Sequence, residues 1–194
     1  WTFREIVTRP LEPVVWDLQP LVARGDRVVV YGEFGAMKSW ALLHLAMHLA
    51  SGSPWLGVFP IPQARQVLYI DEEMNPRELN RRLTRLAQGA GLESQDLPLK
   101  LYSRVGVRFT QAGAQQLVLA LRAENFLPQV VIIEALVRVL EGDENLAADV
   151  ARFWAVLEVL SRSGITVIIS HHMNKPPEDG KRSLRYRARG SVDI

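Results

Sequence analysis

The sequence predicts an α/β fold, with a mostly parallel central sheet and helices on both faces. Three observations carry that expectation. Short apolar runs alternate with longer helical ones along most of the chain, the strand–helix order of a parallel sheet. Glycines and capping residues punctuate the runs where helices should start and stop. The chain has 194 residues, 48% of them hydrophobic, which suits one medium domain with a sizeable core and argues against disorder.

The elements follow in order. Residues 1–24 read as an extended lead-in or linker, because Pro10, Pro13 and Pro20 discourage long helices. The core is expected over 25–194. "DRVVVYG" (26–32) is a buried strand ending in glycine, and "SWALLHLAMHLASG" is a helix stopped by Gly52. "RQVLYIDEE" (65–73) is the second strand. "NPRELNRRLTRLAQGAG" has an Asn cap, a proline at the first helical position and terminal glycines. "LKLYSR" is the third strand, and "TQAGAQQLVLALRAEN" is a helix capped by Thr110. "QVVIIEAL" is the fourth strand, "NLAADVARFWAVLEVLSRSG" a long amphipathic helix, and "ITVIISHH" the fifth strand. From Met173 to Ile194 the chain is polar and basic and then turns apolar, as on entering another strand.

Composition narrows the function classes. There are no cysteines, which excludes disulfides and thiolate metal sites and fits a reducing, cytoplasmic setting. No apolar run approaches the ~18 residues that span a bilayer, so no membrane partner is expected. Net charge is only +2, but Lys175, Lys181, Arg182, Arg185, Arg187 and Arg189 cluster near the end, opposed by Glu178 and Asp179. Such a run suits either contact with a polyanion or a solvated loop. The opening Trp1 suggests a piece of a longer chain.

Ligands of open parallel sheets sit beyond the carboxyl ends of the strands. Four strand ends here deliver polar groups: Gly32 to Ser39, Asp71-Glu72-Glu73, Glu134, and His171-His172. The first, "YGEFGAMKSW", nearly matches the phosphate-loop pattern G-x-x-x-x-G-K-[ST]. Gly32, Glu33, Phe34, Gly35, Ala36, Met37, Lys38, Ser39 and Trp40 would wrap the phosphates. Lys38 suits β- and γ-phosphate oxygens, and Ser39 suits Mg²⁺. Met37 stands where the pattern has glycine, a residue that tolerates unusual backbone angles. A carboxylate among Asp71, Glu72 and Glu73 could orient an attacking water, or the three could simply form an acidic turn before a helix. Glu134, directly after four apolar residues, is expected on the metal side. His44 and His48 are four apart on a helix, as zinc pairs are. "HLAMH" lacks a glutamate after its first histidine and no third ligand is evident, so both read as ordinary helix residues.

Taken together, "GEFGAMKSWALLHLAMHLASG", "VLYIDEEMNPRELNRRL", "VVIIEALVRVLEGDEN", "ITVIISHHMNK" and "RGSVDI" resemble the RecA-like P-loop ATPases. The set is most similar to hexameric replicative helicases of the plasmid RepA type and their phage and mobile-element relatives. The resemblance implies ATP and Mg²⁺ as cofactors, with Lys38 and Ser39 at the phosphates and metal. It implies Glu73 as the catalytic glutamate, Glu134 at the Walker B position and His172 as the γ-phosphate sensor. Arg189 would enter a neighbour's site in a homo-oligomeric, hexameric ring. The basic residues Lys175 to Arg187 would face DNA, single-stranded in such motors. Met37 and Glu134, which is aspartate in the family, depart from the pattern. They leave open a weakly hydrolysing, ATP-gated assembly or DNA-loading module. A RecA-like ATPase with a protein partner is a third reading.

Overall fold

The structure is a computed structural model that describes residues 1–172. The lead-in carries more order than an extended segment. Helix α1 (Phe3–Thr8) is closed by a capping box, with Thr2 and Glu5 satisfying each other's backbone N–H groups, and it buries none of its residues. The short strands β1 (Trp16–Leu18) and β2 (Val22–Ala23) pair antiparallel. Leu18 and Val22 enter the core, so residues of the lead-in close one side of the domain.

The remaining elements alternate as expected. They are β3 (Arg27–Gly32), α2 (Lys38–Ser51), β4 (Val67–Asp71), α3 (Pro76–Ala90), β5 (Leu99–Ser103), α4 (Gln111–Ala123), β6 (Val130–Glu134), α5 (Leu136–Val139), α6 (Ala147–Arg162) and β7 (Thr166–His172). The five longer strands form one parallel sheet in the order β3-β7-β6-β4-β5. The α/β architecture predicted from the sequence is the one observed. One difference lies after β6, where "EAL" leaves the strand and Leu136 and Val139 are buried by the short α5.

Two apolar layers cover the sheet, and residue parity sorts them. Val67, Tyr69, Val130, Ile132 and Ile168 face the layer containing α2. Leu68, Ile70, Val131, Ile133, Val167 and Ile169 face the layer containing Phe153 and Leu157 of α6. Strands covered on both faces are apolar throughout, which is why these runs do not alternate. Helix α2 is buried over most of its circumference, through Leu42, Leu43, Leu45, Ala46, Met47, Leu49 and Ala50. Each fully buried leucine there contributes about 1.5–3 kcal/mol. The helix stops at Gly52, whose φ is +73°. A Cβ on Gly52 would lie 3.1 Å from the backbone nitrogen of Ala64, so conformation and space both demand glycine. Asn75 and Thr110 cap α3 and α4 through the backbone N–H groups of Glu78 and Gly113, as the sequence predicts.

Candidate nucleotide site

Parallel pairing puts the carboxyl ends of all five strands on one edge. Gly32 is registered with His172, and Asp71 with both Glu134 and Ser103. The four groups singled out in the sequence thus share one rim. Those expected further on, Lys175, Lys181, Arg182, Arg185, Arg187 and Arg189, lie outside the described residues.

The loop after β3 begins with a turn in which Ala36 N–H donates to Glu33 O at 3.2 Å. Gly35 has φ +83°, which glycine adopts without strain. Met37 also lies in the left-handed region, at φ 59° and ψ 22°, and forms the N-cap of α2 without a side-chain cap. This explains why the pattern asks for glycine at that position. The backbone shape survives the substitution at the cost of local strain, and the Met37 side chain points to solvent, 66% exposed. Phe34 is exposed, its ring centroid 6.4 Å from that of His172. The guanidinium of Arg82 covers Trp40 at 5.2 Å.

The loop lysine folds over the turn. Lys38 Nζ donates to Gly32 O at 2.8 Å and to Glu33 O at 3.0 Å. Partial burial lowers its pKa from the usual lysine value, opposed by the nearby Glu134 and Glu73 carboxylates. Beneath it, Ser39 Oγ donates to Glu134 Oε1 at 2.5 Å, joining the first turn of α2 to the end of β6. Tyr69 Oη donates to the other oxygen, Oε2, also at 2.5 Å. Burial raises the Glu134 pKa, the Ser39 and Tyr69 hydrogen bonds oppose that rise, and Asp71 and Glu73 add to it.

The three acids after β4 have separate tasks. Asp71 Oδ1 accepts the backbone N–H groups of Glu73 and Met74 at 2.8 and 2.7 Å, capping the turn. Its other oxygen is buried with no hydrogen-bond partner among the described residues, and burial raises its pKa. Glu72 accepts from the backbone of Gly106 and Val107 and so anchors the loop after β5. Glu73 is left projecting over the rim. Its Oε1 lies 3.4 Å from His172 Nε2 and 3.9 Å from Arg138 Nε, while Arg104 holds its carbonyl. Parity in β7 separates the two histidines. His172 stands on the Ile168 side, the α2 side, and His171 is buried on the other.

Tyr69, Arg104 and Arg138 were missed in the sequence. Only Tyr69 left a signal there, as a lone hydroxyl-bearing residue in an apolar strand, two places before Asp71 and therefore on its face. The donor set around Ser39 is hydroxyl and carboxylate oxygen, and the buried, unpartnered oxygen of Asp71 lies beside it in the sheet register. Those are the hard ligands that Mg²⁺ takes. Among the described residues no helix is long and apolar enough to cross a membrane. A cavity of about 700 Å³ between α4 and α6 is lined by residues such as Val118, Leu119, Val156 and Val159. It is lined by none of these strand-tip residues and is mostly apolar, so the strand tips are the better candidate.

A family model described as an AAA domain matches residues 1–178. No curated protein sequence matches the chain. Among solved structures, the crystal structure of the RadB recombinase is similar over 81% of this chain and 66% of that one, at 19% identity and a TM-score of 0.49. The chain therefore spans a little under two thirds of that structure's length.

Proposed function

The chain belongs to the AAA domain family, and from that premise we propose that it binds ATP with Mg²⁺ at the strand tips and hydrolyses the γ-phosphate bond. The observation that carries this reading is the Ser39–Glu134 hydrogen bond at 2.5 Å, with Lys38 above it and Glu73 across the rim. Backbone N–H groups at the start of α2 converge with the positive end of the helix, a favourable seat for phosphate oxygens. Lys38, on leaving the carbonyls of Gly32 and Glu33, has the reach and charge to engage those oxygens. Ser39 and Glu134 would hold the metal, Ser39 directly and Glu134 by accepting from the hydroxyl and from metal-bound water. When bound, Mg²⁺ neutralises phosphate charge and fixes the oxygens in line for displacement. Glu73 orients a water and accepts its proton, and His172, beside Glu73, senses the terminal phosphate.

The wider role belongs to the same proposal. The basic residues Lys175, Lys181, Arg182, Arg185 and Arg187 would contact a single-stranded DNA backbone. Arg189 would complete a neighbour's site in a hexameric ring, making this a cytoplasmic helicase motor for a plasmid, phage or mobile element. Turnover of ATP should rise with single-stranded DNA and vanish in Lys38→Ala. Turnover indifferent to both would sink the reading. Neutralising Lys181, Arg182 and Arg185 together should weaken DNA binding; unchanged affinity would favour a protein partner.

A second reading rests on Met37. Its left-handed backbone and bulk favour a slow enzyme that uses ATP to gate assembly. Met37→Gly combined with Glu134→Asp should then raise turnover sharply, and an unchanged rate would count against this version.

A further inference from the structure

On α2, His44 and His48 stand one helical turn apart and face each other. Their Nε2 atoms are 3.1 Å apart and their ring centroids 4.2 Å. Two serine hydroxyls lie beside the His48 ring. Ser51 Oγ donates to the His48 carbonyl at 3.2 Å. A hydroxyl has one hydrogen, so in the 2.6 Å contact between Ser51 and Ser53, Ser53 donates. With the Ser53 hydrogen so engaged, the 2.8 Å contact between Ser53 Oγ and His48 Nδ1 is made by the ring N–H in the tautomer protonated on Nδ1. In that tautomer the bare lone pair of His48 Nε2 points at His44, 3.1 Å away.

We propose that His44 and His48 form a two-imidazole binding site for a zinc-like divalent transition cation, with Ser53 orienting the His48 ring. Ligating histidines characteristically donate their second ring N–H to an acceptor, which is what His48 does. Zn–N bonds of about 2.0–2.1 Å in a tetrahedral centre need the two nitrogens about 3.3 Å apart, so the pair needs to open only slightly. In the metal-free pair, His44 Nε2–H donates to His48 Nε2; when the cation binds between them, that proton moves to His44 Nδ1, which is buried with no hydrogen-bond partner among the described residues. Burial also lowers both imidazole pKa values from the usual histidine range, for His44 with help from His48. Neutral rings are the ones that ligate.

Counting protein ligands in the sequence rejected this site, and the structure agrees that no group of three or more histidine or acidic residues converges among the described residues. Water completes the coordination, so the affinity is that of two imidazoles. Imidazole nitrogen suits Zn²⁺, Cu²⁺ or Ni²⁺ and not Mg²⁺, which keeps this site distinct from the nucleotide's metal.

The test uses the whole chain without nucleotide. Titration with Zn²⁺ should show one ion per chain. His44→Gln or His48→Gln should weaken binding at least about tenfold, and Ser53→Ala about tenfold through loss of orientation. His172→Gln should leave binding intact. In the unmodified chain, Cu²⁺ should show electron-spin coupling to two imidazole nitrogens, a readout that does not depend on any variant folding. The proposal is overturned by no Zn²⁺ binding at millimolar metal, by coupling to fewer than two imidazoles, or by loss with His172→Gln alone.

Discussion

Tyr69 donates its hydroxyl hydrogen to Glu134 across two neighbouring strands, at 2.5 Å, with the tyrosine ring wholly buried. Ser39 holds the opposite oxygen, so the carboxylate is fixed from both sides. Tyr69→Phe would leave one buried oxygen without its donor, a loss of about 1–3 kcal/mol. Urea unfolding should show that loss, and metal-dependent nucleotide affinity should fall with it. A phenylalanine variant as stable as the parent would mean the bond is worth nothing net.

Glu134 and Asp71 both have raised folded-state pKa values, chiefly through burial. For such groups the folded chain binds more protons than the unfolded one. Their contribution to stability is complete below the unfolded values of 4.5 and 3.8, and it is lost as pH rises through the folded values. Glu134→Gln removes its share. Its stability relative to the parent should therefore increase from pH 4 towards neutral in paired urea titrations. A difference that stays flat with pH would contradict the buried-carboxylate account.

Met37 occupies a backbone conformation that costs an L-residue about 1–2 kcal/mol. Met37→Gly removes that strain but loosens the unfolded chain by about 0.5–1 kcal/mol. The net expectation is a gain of up to about 1.5 kcal/mol, whereas Met37→Val should lose stability because a β-branched residue fits this region worst. Equal unfolding midpoints for the two variants would show that the strain is absent in solution.

Arg65 and Asp17 form an ion pair at 2.7 Å with both side chains 2% exposed, and Thr166 donates to the second Asp17 oxygen. This cluster ties the β1–β2 segment to the chain just before β4 and to the start of β7. Removing either partner strands a buried charge and should cost about 3–5 kcal/mol. Arg65→Met with Asp17→Leu should cost less than the two single changes added together. Strict additivity in that cycle would show that the pair does not act as a unit.

Much of the architecture could be read in the chain because buried parallel strands are apolar throughout and their helices carry caps at Asn75 and Thr110. The strand tips were legible for the same reason: an ionisable residue after an apolar run, as at Glu134 and Asp71, stands out. What stayed hidden depends on contacts between distant segments. Arg138 and Arg104 meet Glu73 only after folding, and Asp17 meets Arg65 and Thr166 across 48 and 149 positions. The short α1 was lost among prolines because its signal is a single capping box. The His44–His48 pair was visible, but the Ser53 hydroxyl beside the His48 ring is brought there only by the folded turn.

The alternation along β7 gives its two terminal imidazoles opposite fates, one entombed and one on the rim. Deleting or inserting a single residue between Thr166 and Ser170 would exchange their faces, unless the residues before it shifted instead to the wrong layer. The chain length of that segment therefore decides which imidazole reaches the rim. An indel there should be far more damaging than any point substitution at its exposed start.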